Sequence, residues 1–175
     1  DPARGTWRRA ASLPKPRMMD ATATLRDGSV LVAGTQLASE VFDPDTGEWT
    51  PTGGLVDLQP MASAVTRADG TVLLVGGIRD KTPLKTTQVY DPSTNRWQAG
   101  PDLPEALTIP GVALLANGSV LSVGGSSGLR STRSAAIFTP PDAPGQKLDT
   151  AGAAAARRAR AALVGGGGGG VPTWL

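Results

Sequence analysis

One stretch organises the chain: Asp69-Gly70-Thr71-Val72-Leu73-Leu74-Val75-Gly76-Gly77, then a polar loop, then Val89-Tyr90-Asp91-Pro92-Ser93-Thr94-Asn95-Arg96-Trp97. Asp69-Gly70 tolerates positive φ and closes a tight hairpin. The run 72–75 is apolar without alternation, which suits a strand covered on both faces. The glycines at 76 and 77 permit a close backbone approach or an unusual φ. Pro92 presets φ for a turn in which Asn95 can take the left-handed position. Trp97 then supplies a large ring able to cover a neighbouring sheet. Together with the small apolar run 62–67 before it, the stretch predicts four antiparallel strands.

Outward from this stretch the same pattern recurs at fixed offsets. Trp7 to Gly28, Trp49 to Gly70 and Trp97 to Gly118 are each 21 positions apart. Phe42 to Trp49 and Tyr90 to Trp97 are each 7. One offset varies: Gly28 to Phe42 is 14, whereas Gly70 to Tyr90 and Gly118 to Phe138 are 20. The repeat is therefore 42 positions once and 48 thereafter, and the six missing residues fall between Gly34 and Ser39. First strands are expected at 21–25, 62–67 and 112–115, and second strands at 30–33, 72–75 and 120–123. Third strands end at Phe42, Tyr90 and Phe138, and fourth strands carry Trp49 and Trp97.

Four-stranded units repeating at about 40 to 50 residues, with paired glycines and a late tryptophan, are the signature of a propeller blade. On Gly76-Gly77, Tyr90 and Trp97, on Gly124-Gly125 and Phe138, and on Gly34, Phe42 and Trp49, the chain resembles the kelch-repeat family. The resemblance covers roughly residues 7–140. It implies an all-β fold, a partial kelch-type propeller of about three four-stranded antiparallel blades. The units are expected at about 18–54, 61–103 and 109–140, within a repeat region 1–142, with a leading outer strand near Trp7 that could complete the sheet of residues 112–138. Since propellers close with about 4 to 8 blades, the expectation is an open arc, part of a larger ring, or two chains sharing one ring. Residues 143–175 form a low-complexity Ala/Arg/Gly-rich tail, expected to be poorly ordered, in which 151–164 could be a short helix and Trp174 could return as the missing outer strand.

Composition narrows the chemistry. The chain of 175 residues has no histidine and no cysteine. The commonest general base, the commonest transition-metal ligand and thiolate chemistry are thus missing together. The formal charge of +2 is too small for a nucleic-acid surface, and no apolar run approaches the roughly 20 residues of a membrane span. No cofactor is expected. The family resemblance extends to galactose-oxidase-type copper enzymes, which need histidine ligands and a cysteine-linked tyrosine, whereas the one tyrosine here, Tyr90, holds a blade-packing position. Similar bacterial kelch proteins often carry a histidine seven positions before the turn aspartate. Those positions are Asp20, Ala62 and Pro110.

Alternating strands place the long second and fourth connections at one end. Arg17, Arg79, Asp80, Lys81, Lys85, Arg130 and Arg133 fall there. They predict a mildly cationic loop face that could meet an acidic glycan or protein segment, although ordinary solvated loop charge accounts for the same residues. Asp27, Asp43, Asp45, Asp69 and Asp91 gather at the short-turn end, where turn chemistry explains them better than calcium. The resemblance also takes in kelch-type sugar epimerases and mutarotases, which would rely on acidic and Arg groups near the axis; Asp20, Arg26 and Arg67 are the nearest candidates. The expected function is a non-catalytic binding module for a protein or glycan, extracellular or on the cell surface, requiring self-association or further blades for closure. The alternative is a fragment of a larger secreted carbohydrate-active or galactose-oxidase-like enzyme.

Overall fold

The computed structural model describes residues 5–140, and all of its regular structure is β. The first sheet contains β1 (Ala21–Thr24), β2 (Val30–Ala33), β3 (Ala38–Phe42) and β4 (Trp49–Gly54), in that spatial order. The second contains β5 (Ser63–Thr66), β6 (Val72–Val75), β9 (Thr87–Asp91) and β10 (Arg96–Ala99), again in chain order from inside to outside. Between β6 and β9 stands a small hairpin of β7 (Ile78–Arg79) and β8 (Thr82–Pro83). The third sheet pairs β11 (Gly111–Leu114), β12 (Val120–Val123) and β15 (Ala135–Phe138), with β13 (Ser126–Ser127) and β14 (Arg130–Ser131) as the corresponding hairpin. Every pairing is antiparallel. Strand β6 shows why the apolar runs are continuous. Val72 and Leu74 point into a cluster shared with Ala21, Ala23 and Leu31 of the first sheet. Leu73 and Val75 point the other way, against Val120 of the third. Successive side chains leave opposite faces of a strand, so a strand between two sheets needs apolar residues at every position, each worth about 1.5–3 kcal/mol when fully buried.

The turns behave as their chemistry dictates. Gly47 and Asn95 both adopt positive φ, at 76° and 55°. The paired glycines lie where neighbouring backbone passes closely. Gly77 has φ 115°, donates its N–H to Leu107 O at 2.8 Å, and would place a Cβ 2.9 Å from Pro60 O. A clamp joins the first two sheets at their outer strands, where Asn95 Oδ1 accepts from Gly53 N and from the Tyr90 hydroxyl, both at 3.0 Å. Beside it the Trp97 indole is 8% exposed, stacks at 5.2 Å on Tyr90, and donates to Ser39 Oγ at 2.8 Å.

Two details refine the sequence-based picture. The six residues missing from the first unit correspond to one complete hairpin, 78–83 or 126–131, so the first sheet connects β2 to β3 directly through residues 34–37. The outer strand expected near Trp7 does not form among the described residues, and Trp7 is fully exposed. The physical reason is where the N-terminal segment is held. Ala11 O accepts from Trp49 Nε1 at 3.1 Å, which ties the segment to the first sheet and away from the third. The third sheet accordingly has three strands. The tail 143–175, with its expected helix at 151–164, lies outside the described residues.

Candidate loop-face binding site

The long connections gather at one end of the three sheets. Their inner rim is built by a repeated backbone device: Met61 N donates to Met19 O at 2.9 Å, and Ile109 N donates to Met61 O at 2.7 Å. All three residues are left-handed, with φ of 66°, 60° and 44°. Such a conformation costs about 1–3 kcal/mol in a residue other than glycine, and for β-branched Ile109 it is a genuine outlier. The step turns each loop sharply into its inner strand. It also leaves side chains outside the core, with Met19 52% and Ile109 57% exposed. Met18, Val56 and Leu58 are exposed on the same connections. These apolar residues are absent from the charge-based prediction. Their available signal is a large apolar side chain at one repeat position, immediately before Asp20, Ala62 and Pro110.

The expected cations divide. Arg79 lies on β7 and forms an ion pair with Asp57 of the preceding connection, both side chains about half exposed. Asp80 and Lys81 are the two-residue tip of the β7–β8 hairpin, with φ of 49° and 65°, the handedness that matches the twist of paired strands. Lys85, Arg130 and Arg133 are exposed, and Leu129 stands fully exposed at the tip of the corresponding third-sheet hairpin. Arg17 does not join them. Its side chain is buried, pairs with Glu40 at 3.1 Å, donates to Ala38 O at 2.6 Å and lies 3.7 Å from Asp20. It occupies the place that Gln59 holds one unit later, where Gln59 donates to Thr86 O and accepts from Gln88 Nε2. Arg17 is a structural tie between connection and sheet.

The remaining candidates are also held by structural contacts. Asp20 accepts from Thr35 N at 2.6 Å and from Thr35 Oγ1 at 2.9 Å. Arg26 donates to Ala68 O of the next sheet, while Arg67 pairs with Asp69 at 2.6 Å and lies 5.6 Å over the Phe138 ring. Asp20 and Arg26 sit at opposite ends of β1, about 20 Å apart along an extended strand. At the short-turn end, hydrogen bonds from Ser29 hold the Asp27 carboxyl below its usual range, and those from Ser93 do the same for Asp91. Backbone donors from Asp45 and Thr46 lower Asp43. Burial pushes Asp69 upward, but Thr71 and Arg67 leave it lowered on balance. Asn117 makes the same turn without a charge, accepting from Ser119 N at 3.1 Å. Among the described residues no group of three or more acidic, histidine or cysteine side chains is placed to hold a metal ion. No helix among them is long and apolar enough to cross a membrane.

Residues 62–104, which contain the whole second sheet, match the family model of the Kelch motif. Among solved structures the chain is similar to the one titled "Structure of YjhT", with a TM-score of 0.60 and 18% identity over 68% of this chain. The chain spans 37% of the length of that structure. At this identity the likeness concerns the fold. No curated protein matches the chain in sequence.

Proposed function

The chain is a kelch-repeat protein with part of a propeller's blades, and from that premise we propose that it is a non-catalytic binding module working through its long-loop face. The observation that carries the reading is the mixture there: exposed Met19, Ile109 and Leu129 beside the cations Lys81, Lys85, Arg130 and Arg133. Exposed apolar side chains rimmed by charge mark interaction surfaces, and this combination suits an acidic protein segment with apolar anchors. Asp20, Arg26 and Arg67, the candidates for sugar chemistry, are engaged in structural contacts, which supports binding over catalysis. Binding of acidic amphipathic peptides and of sulfated glycans would be measured by fluorescence anisotropy at low and physiological salt. Replacing Lys81, Arg130 and Arg133 by Ala is expected to weaken peptide binding about tenfold, from roughly 0.2–1 kcal/mol per exposed charge. Replacing Met19 and Ile109 by Ser is expected to weaken it further. Unchanged affinity in both variants refutes the loop-face reading, and binding of glycan alone transfers it to the other ligand class. The resemblance to secreted bacterial kelch proteins supports an extracellular or cell-surface setting, which cell fractionation tests.

A second reading is favoured by the 37% coverage of a related propeller. These blades would then belong to a larger secreted carbohydrate-active enzyme whose reacting residues lie outside this chain. Further repeats carrying histidine, tyrosine and cysteine in the flanking gene sequence would establish it.

A further inference from the structure

A cleft of about 110 Å³ lies between the second and third sheets, lined mostly by apolar side chains, with Thr87, Asp102 and Ser122 among them. Its identity follows from the repeat. Trp97 belongs to a buried cluster with Leu31, Leu55, Val72 and Tyr90 and donates to Ser39. Advanced by one repeat, those five positions become Leu73, Leu103, Val120, Phe138 and Thr87, and all five line the cleft. The cleft is therefore the tryptophan slot of the third sheet, next to the edge of β15, which no further strand pairs among the described residues.

The other end of the arc carries the complementary part. Trp7 stands 42 positions before Trp49 and is thus the outer-strand tryptophan of a preceding unit. The residues after it are already set as such a connection. Arg17 joins Glu40 as Gln59 joins Gln88, and Met19 O receives Met61 N as Met61 O receives Ile109 N. Trp7 is fully exposed because three sheet strands that would cover it are not beside it. The third sheet offers three such strands, together with an open face bearing exposed Val123 and Ile137.

We propose that a second copy of this chain supplies the missing strand, its Trp7 entering the slot between the second and third sheets and donating its indole N–H to Thr87 Oγ1. The contact is head-to-tail, and such contacts form rings when the rotation closes. Made twice, it joins two arcs of three sheets into a six-bladed ring, inside the range of about 4 to 8 blades over which propellers close. This goes beyond the loop-face reading and is tested by mass, so either can fail alone.

The full chain is studied at micromolar concentration by sedimentation equilibrium. The expected species has twice the 17.8 kDa of one chain. Trp7→Ala, a change at a fully exposed residue, is expected to weaken dimerisation at least about 30-fold, as for a buried aromatic anchor, with unchanged far-UV circular dichroism. Ala136→Phe, which fills the slot from within, is expected to do the same. A monomeric wild-type chain overturns the proposal, as does a dimer that survives Trp7→Ala. Growing head-to-tail polymers overturn the closed ring. A monomer destabilised by Trp174→Ala but indifferent to Trp7→Ala assigns the slot to the chain's own C-terminal tryptophan and overturns it as well.

Discussion

Trp97→Ala tests the blade packing most directly, because the indole on the outer strand of the second sheet packs against Leu31 and bonds Ser39 of the first. The side chain is 8% exposed, so nearly all of its surface leaves water on folding. A tryptophan buries about 150–250 Å², which at about 25 cal/mol per Å² gives about 4–6 kcal/mol. That figure is an upper bound, since the unfolded chain is itself partly compact. The hydrogen bond to Ser39 Oγ at 2.8 Å contributes about 0.5–1.5 kcal/mol. Ser39 is not orphaned by the change, because Thr52 Oγ1 stays 2.6 Å away. The expected loss is therefore about 3–5 kcal/mol, the range for large aromatic to alanine changes in cores. Trp97→Phe keeps most of the contact with Tyr90 and is expected to cost about 1–2 kcal/mol. Trp49 is only half-buried, with Phe42 at 5.0 Å, so Trp49→Ala should cost clearly less than Trp97→Ala. Urea unfolding followed by far-UV circular dichroism, with linear extrapolation, measures all three. A loss below about 1 kcal/mol for Trp97→Ala, or equal losses at Trp49 and Trp97, refutes the packing described.

Further outcomes follow from other contacts. Gly77→Ala is expected to cost about 3 kcal/mol or more, since it adds positive-φ strain to a Cβ 2.9 Å from Pro60 O, whereas Gly28→Ala, with φ 89° and open space around it, should cost about 1 kcal/mol; equal costs in thermal melts would contradict the close approach. Arg17→Met leaves the Glu40 carboxylate buried and unpaired and is expected to lose about 3–5 kcal/mol, while the double change with Glu40→Met recovers most of it; in either case peptide affinity at the loop face should stay unchanged. Asp27, Asp43, Asp69 and Asp91 have carboxyl groups lowered in the folded state, so their contribution is complete above the unfolded value of about 3.9 and is lost as pH falls through the folded values. Asp27→Asn combined with Asp91→Asn should flatten the acid limb of the stability curve, with Asn117 showing that the amide can make the turn; an unaltered limb counts against the assignment.

The repeat arithmetic, the hairpin dipeptides and the continuous apolar runs determine the strand order and most strand bounds before any coordinates, because each depends on neighbours only a few residues away. The positive φ of Gly47 and Asn95 follows from the turn chemistry, as does the role of the short-turn carboxylates. Sequence also locates the six-residue difference between units, though not that those residues make one whole hairpin. What only the tertiary structure decides are contacts between units. Arg17 counts as a loop cation until Glu40, 23 positions away, is seen beside it. Trp7 shares a repeat position with Trp97, yet one indole is fully exposed and the other buried, because only Trp97 has a completed neighbouring sheet. Met19 and Ile109 carry no charge pattern, and their exposure becomes visible only when the left-handed backbone is placed. Local residue chemistry sets turns and strands, whereas burial depends on which surface comes to lie opposite. A side chain's identity does not encode its facing neighbour, so the slot opposite Phe138 emerges only when one sheet is set against the next.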